Sequence, residues 1–330
     1  MRTRIVVSLI ALLAVLATHL AASAVENGPL RALGAIALNG VEGRIDHMAA
    51  TPDGRWLLVA ALGGNRVLKI DTQAGKVIAA VKVMGPQGVY YLSKTGNVAV
   101  ASGHDGNLQF YTDKFQPLGI VRGLDDADNV RYDADANLVY AGYGQGALAV
   151  IDPDTFVQTA KIPLDGHPES FRLETLGTRI FINVPSAGEI EVFDRANRVL
   201  LAEWKLKDSA ENFPMALDEA GKRLFIGTRK PPRMLVIETE AGKEIATLSA
   251  CGDTDDLFYD ALSKLIYLSG GQGCVSMFRQ TDSLTYDRLD DISTFPGART
   301  SLLVPAAHRL YVAVPHSGAQ PAEIMVFTTP

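Results

Sequence analysis

The sequence predicts an all-β fold, a seven-bladed β-propeller with four antiparallel strands per blade, and three observations predict it. A polar residue opening a short strand recurs at Asp46, Gln87, Asp128, Glu169, Asn212, Asp255 and Arg299, at spacings of 41, 41, 41, 43, 43 and 44 residues. The same order of apolar alternation and turns follows each recurrence, which makes every unit a repeat of one supersecondary element. The last unit stops one strand short, and a spare strand precedes the first.

Each unit begins with a strand, a turn and a second strand, as in IDHMAATPDGRWLLVAA and ADNVRYDADANLVYAGY. A third strand ending in Ile-Asp, a Gly- or Pro-containing turn and a fourth alternating strand complete it, as in NRVLKIDTQAGKVIAAVKV and GALAVIDPDTFVQTAKIPL. Four strands per 40-odd residues is the pattern of a propeller blade. The seventh unit ends on its third strand, AEIMVFT, whereas residues 30–38, LRALGAIAL, read as a fourth strand lacking its first three. Pairing these two halves closes the ring with an N-terminal strand and hides two sheet edges. Residues 25–330 therefore form a single domain.

Ahead of it, Arg2 and Arg4 precede an apolar run over residues 5–20, followed by Ala22-Ser23-Ala24. This is the pattern of a secretory signal peptide, residues 1–24, cleaved after Ala24. An uncleaved anchor needs about 20 apolar residues, and His19 and Ser23 interrupt the run. The expected location is periplasmic or secreted, with no membrane span after cleavage. The 330 residues carry 31 basic and 37 acidic side chains, a net charge of -6. Removing residues 1–24 takes away two arginines and no acid, leaving 29 against 37, or -8. With no basic stripe to displace condensed counterions, nucleic acid is not an expected partner. A content of 47% apolar and 21% charged residues without like-charge blocks excludes a disordered chain.

The units resemble the YVTN/YncE-like family of seven-bladed propellers. The resemblance is clearest in TPDGRWLLVAALGGNRVLKIDTQAGKVIAAVKV, with its Pro-Asp-Gly turn, Asn-containing turn, Val-x-x-Ile-Asp and Gly-Lys-Val. It covers the whole chain after the signal segment, and it implies an exported propeller without implying an activity. Tryptophan-aspartate repeats match less well, because the chain has two Trp and no Trp-Asp pair closing a third strand.

In a propeller the innermost strands line a central channel, so the seven marked residues and those two earlier gather at one mouth. The two layers hold Asp126, Asp253 and Arg44 beside Asp46, Asp128, Glu169, Asp255 and Arg299. The ligand-binding candidates are Arg44, Asp46, His47, Gln87, Asp126, Asn129, Asp253, Asp256, Arg299 and His316. A wet channel accounts for polar residues without any ligand. Crowded carboxylates, however, raise one another's pKa unless a cation compensates, so a divalent cation is a candidate cofactor. Asp128, Glu169, Asn212 and Asp255 are the candidate metal ligands, and oxygen donors favour calcium, whereas His47 or His167 would favour zinc, manganese or iron. The leading reading is a monomeric binding or scaffold protein presenting this rim to a small-molecule or protein ligand. The alternative is a metal-assisted, lactonase-like hydrolase or a lyase acting on a sugar-derived substrate, with His104, Tyr143, His167 and Arg299 as catalytic candidates.

Leu268-Ser269-Gly270-Gly271-Gln272 resembles a transport-ATPase signature, but no Walker loop accompanies it and its flanks read as strands. Cys251 and Cys274 fall in one blade near the rim, so a disulfide and two buried thiols are both compatible with the sequence. The Pro52–Gly54 turn and its counterparts lie on the opposite rim and read as punctuation.

Overall fold

The computed structural model describes residues 29–330, so the signal-peptide reading lies outside the described residues. Seven four-stranded antiparallel sheets follow in chain order, and they are the predicted blades. Their inner strands are Met48–Ala50, Pro86–Leu92, Val130–Asp133, Phe171–Leu173, Ala210–Asp218, Thr254–Asp260 and Ser301–Val304. Blade 7 takes its outer strand from the other end of the chain: Arg31–Ala37 pairs antiparallel with Glu323–Thr328, from Arg31 opposite Thr328 to Ala37 opposite Glu323.

The strands form where the sequence can bury both faces. Second strands such as Trp56–Ala61 and Arg179–Val184 are buried almost throughout, because sheets pack against them on either side. Outer strands such as Lys76–Lys82 alternate between exposed and half-buried residues, and lysines at both ends discourage edge-to-edge pairing. The buried apolar residues divide into seven clusters, one at each junction between neighbouring blades. Each junction is a small two-sheet core, so stability depends on the ring being complete.

One junction allows no side chain at all. A Cβ on Gly88 would lie 2.1 Å from the Asp128 carbonyl oxygen and 3.0 Å from Val130 Cγ2, so the backbones of blades 2 and 3 can approach only over a glycine. Gly88→Val is expected to cost about 3 kcal/mol or more by overpacking. A denaturant melt matching the wild type would contradict this close approach.

Blade 6 departs from the repeat. Its fourth strand is split into Tyr286–Arg288 and Ile292–Ser293, which pair with opposite ends of Cys274–Gln280. Asp290 and Asp291 interrupt it, and Asp291 instead accepts hydrogen bonds from Arg288 Nη2 at 2.8 and 2.7 Å. Cys251 and Cys274 form a disulfide in this blade, with Cα atoms 5.9 Å apart. No helix among the described residues is long and apolar enough to cross a membrane.

Candidate functional site

The loops entering the inner strands and the turns between second and third strands lie together at one end of the channel, the upper mouth. Backbone hydrogen bonds tie them: Gly63 N to Arg44 O at 2.9 Å, Gly103 N to Gly85 O at 3.0 Å and Gly271 N to Asp253 O at 2.9 Å. The shared rim expected from the repeat is therefore present.

At its centre is His47, contributed by blade 1 and only 17% exposed in its side chain. Its Nε2 lies 3.6 Å from Asp128 Oδ1 and 4.0 Å from Asp46 Oδ1, and its Nδ1 lies 3.8 Å from Asp256 Oδ1. Burial alone would lower its pKa, but interactions with Asp256, Asp46 and Asp128 overcome this and raise it to about 10. The imidazole is therefore an imidazolium at neutral pH, bridging carboxylates of blades 1, 3 and 6. Arg44 Nη2 lies 3.2 Å from Asp46 and 3.6 Å from Asp255, while Arg229 Nη2 donates to Asp255 Oδ1 at 2.8 Å. Arg299 Nη2 lies 2.9 Å from Asp253, which completes the rim.

These cations do not match every acid. Burial raises the pKa of Asp46, Asp128 and Asp255 despite His47, and desolvation, with Asp128 and Asp255 adding to it, raises the half-buried Glu169 to about 9. Asp46 Oδ2, Asp128 Oδ1 and Asp255 Oδ2 are buried without a hydrogen-bond partner, although each lies within ion-pair distance of Arg44 or His47. Ion-pair proximity at 3.2–3.6 Å leaves these carboxylates' lone pairs poorly satisfied.

The remaining sequence candidates are spread around the mouth. His167 Nδ1 donates to Gly144 O at 2.6 Å and lies 3.9 Å from the exposed Asp126. His316 Nδ1 lies 2.8 Å from Glu42, and Asn129 accepts from Arg131 Nη2 at 3.2 Å. Gln87 lies over Gly103, where an added Cβ would meet its Oε1. His104 is exposed, and Tyr143 packs against the core between blades 2 and 3 with Lys161 Nζ 5.7 Å from its ring centre. Among the described residues no hydrogen bond or ion pair joins any two of His104, Tyr143, His167 and Arg299.

The candidate metal set is also divided. The Asn212 amide is fully buried and donates to Asn183 Oδ1 at 3.0 Å and Glu189 O at 2.9 Å, which binds it to blade 4. The one group of three or more potential ligands within 4.8 Å of one another among the described residues is Asp165, Glu189 and Glu191. It lies at the junction of blades 3 and 4, where Lys205 Nζ is 2.6 Å from Glu189 Oε2 and Asp165 N donates to Glu191 Oε1 at 2.9 Å.

Below His47 the channel widens into a cavity of about 580 Å3 that the sequence reading missed. Its lining runs from His47 and Asp256 to Pro52, Ser93, Ala134 and Pro305, so it reaches the rim of turns read as punctuation. Its wall includes Ala49, Tyr90, Arg131, Arg172, Phe258 and Leu302. Each follows a marked residue by three positions in the sequence, so the repeat carried the signal.

No protein-family model matches the chain. Over 199 residues, 58% of the chain, it is 27% identical to the "Uncharacterized protein YncE" of Salmonella typhimurium and, to the same extent, of Salmonella typhi. The chain spans about half the length of these curated relatives, 55%. Among solved structures it is similar to Kuenenia stuttgartiensis hydrazine synthase, with a TM-score of 0.77 and 17% identity over 88% of this chain and 97% of that one. It is also similar to the RRP9 WD40 repeats, with a TM-score of 0.79 and 11% identity over 91% of this chain and all of that one. At such identities these structures show the fold alone. The curated relatives and the seven blades together support a YncE-like β-propeller.

Proposed function

We propose that this YncE-like propeller is an exported binding or scaffold protein that presents its upper channel mouth to a cationic ligand, with calcium as the favoured ion. The observation that carries the reading is the set of three buried carboxylate oxygens without a hydrogen bond, Asp46 Oδ2, Asp128 Oδ1 and Asp255 Oδ2, from three different blades. Buried carboxylate oxygens without hydrogen bonds are costly, and a cation would offset that cost; the three do not lie within 4.8 Å of one another, so a bound ion would draw them together. An oxygen donor set suits calcium. The Cys251–Cys274 disulfide supports an oxidising compartment, as does the signal-like N-terminus. No observation favours the hydrolase or lyase: among the described residues no hydrogen bond or ion pair links its catalytic candidates.

Metal analysis of the purified mature chain, with thermal melts before and after chelation, tests the reading. A bound ion near one per chain is expected, and chelation should lower the Tm by several degrees, as loss of a ligand specific to the folded state requires. Asp128→Asn should abolish the chelator response. An ion-free protein whose melt responds neither to chelator nor to added calcium would contradict the reading.

A further inference from the structure

We propose that the lower chamber is a second binding site, for a small organic carboxylate with an aromatic or branched apolar body, whose carboxylate is held by Arg172 with Arg131 fixed beside it. The two arginines occupy adjacent inner strands, and both donate to Phe171 O, Arg131 from Nε at 3.1 Å and Arg172 from Nη1 at 3.2 Å. Two guanidiniums are thereby gathered at one point of the chamber wall. Neither has a carboxylate oxygen within 4.0 Å among the described residues.

The pair divides the work. Arg131 is bound by Val130 O at 2.8 Å, Asn129 Oδ1 at 3.2 Å and Ser170 Oγ at 3.4 Å, and its guanidinium lies 5.3 Å from the Phe171 ring centre. Arg172 donates from Nη1 to Ser170 Oγ at 3.4 Å and to Phe171 O, but its Nε and Nη2 have no hydrogen-bond acceptor among the described residues. A carboxylate is the natural complement of a free guanidinium edge, because it accepts two parallel N–H bonds. Burial, with Arg131 alongside, lowers the Arg172 pKa to about 9, so an incoming anion would relieve two crowded cations.

The rest of the wall selects the body of the ligand. Tyr90, Phe258 and Leu302 line the chamber with the two arginines, and about 580 Å3 is the size of a small-molecule pocket. Apolar sides with convergent charges at one place orient a ligand that is apolar at one end and anionic at the other. The chamber meets the upper mouth at His47 and Asp256, which belong to its lining, and the Asp256 carboxylate acts on both arginines from that end.

Calorimetric titration of 2-naphthoate, 2-naphthamide and inorganic phosphate into the chelator-treated mature chain tests the proposal. Naphthoate should bind at least about tenfold more tightly than the uncharged amide, the scale of one charge-assisted contact. Arg172→Gln should abolish that preference and Arg172→Lys should recover part of it, with far-UV circular dichroism verifying the fold. Should Arg172→Gln not fold, Leu302→Trp, which fills the chamber and leaves both guanidiniums, should block naphthoate. Calcium binding at the mouth should be unchanged in these variants, which separates this site from the upper one. Naphthoate binding no tighter than the amide, indifference to Arg172→Gln in a folded variant, or binding of phosphate without naphthoate would each overturn the proposal.

Discussion

A chain shortened to begin at Asn39 is expected to lose about 10 °C or more in Tm and to aggregate on heating. The deletion removes Leu30, Ile36 and Leu38, each 5% exposed or less, together with the ladder that Arg31–Ala37 forms with Glu323–Thr328. Burying three such side chains contributes about 5 kcal/mol or more, and a domain of this size shifts by roughly 2 °C per kcal/mol. The exposed edge of Glu323–Thr328 would then be free to pair with another chain. Thermal melts and light scattering measure both effects. A deletion melting within a few degrees of the full chain would mean that the ring does not depend on its N-terminal strand.

His47→Ala is expected to be the most disruptive single change at the upper mouth. It leaves Asp46, Asp128 and Asp256 without the group that lies between them, and breaking a buried ion pair from one side costs about 3–5 kcal/mol. The pH dependence gives the effect a signature. His47 is raised from 6.5 to about 10, so its stabilisation is complete below 6.5 and is lost as pH rises through 10. Glu169, raised from 4.5 to about 9, has the same sign and lowers stability as pH rises through 9. The wild-type Tm should therefore fall between about pH 6.5 and 10. The gap between variant and wild type should be widest below about pH 6.5 and should narrow as pH rises towards 10. Equal melts of the two proteins at pH 7.5 would contradict the arrangement around His47.

The fold was legible because every blade must solve the same packing problem with the same lengths of chain. Two apolar middle strands, an alternating outer strand and a spare N-terminal strand leave few other ways to bury the apolar faces. The site was legible only as a ring of polar positions. Equal places in the repeat are not equal places in space once a β-bulge intervenes, and bulges fall between Asn212 and Met215 and between Thr254 and Asp256. Asn212 accordingly joins blade 4, and Asp256 rather than Asp255 lies beside His47. Tyr143, a catalytic candidate by residue type, packs its aromatic ring against a core. Arg131 and Arg172 stand in the strands VRYD and FRL, where a single arginine reads as an ordinary solvent-facing residue. Only the closure of the ring makes those positions converge on one chamber.

The electrostatics of the upper mouth centre on one charged imidazole, His47. Observing His47 by NMR in chelator-treated protein, with His47→Gln to assign its signals, tests this most directly. An imidazolium that persists above pH 9 and titrates near 10 is the expected result. Titration close to 6.5, the value of a free histidine, would contradict it, because the carboxylates of Asp46, Asp128 and Asp256 would then not be acting on that ring.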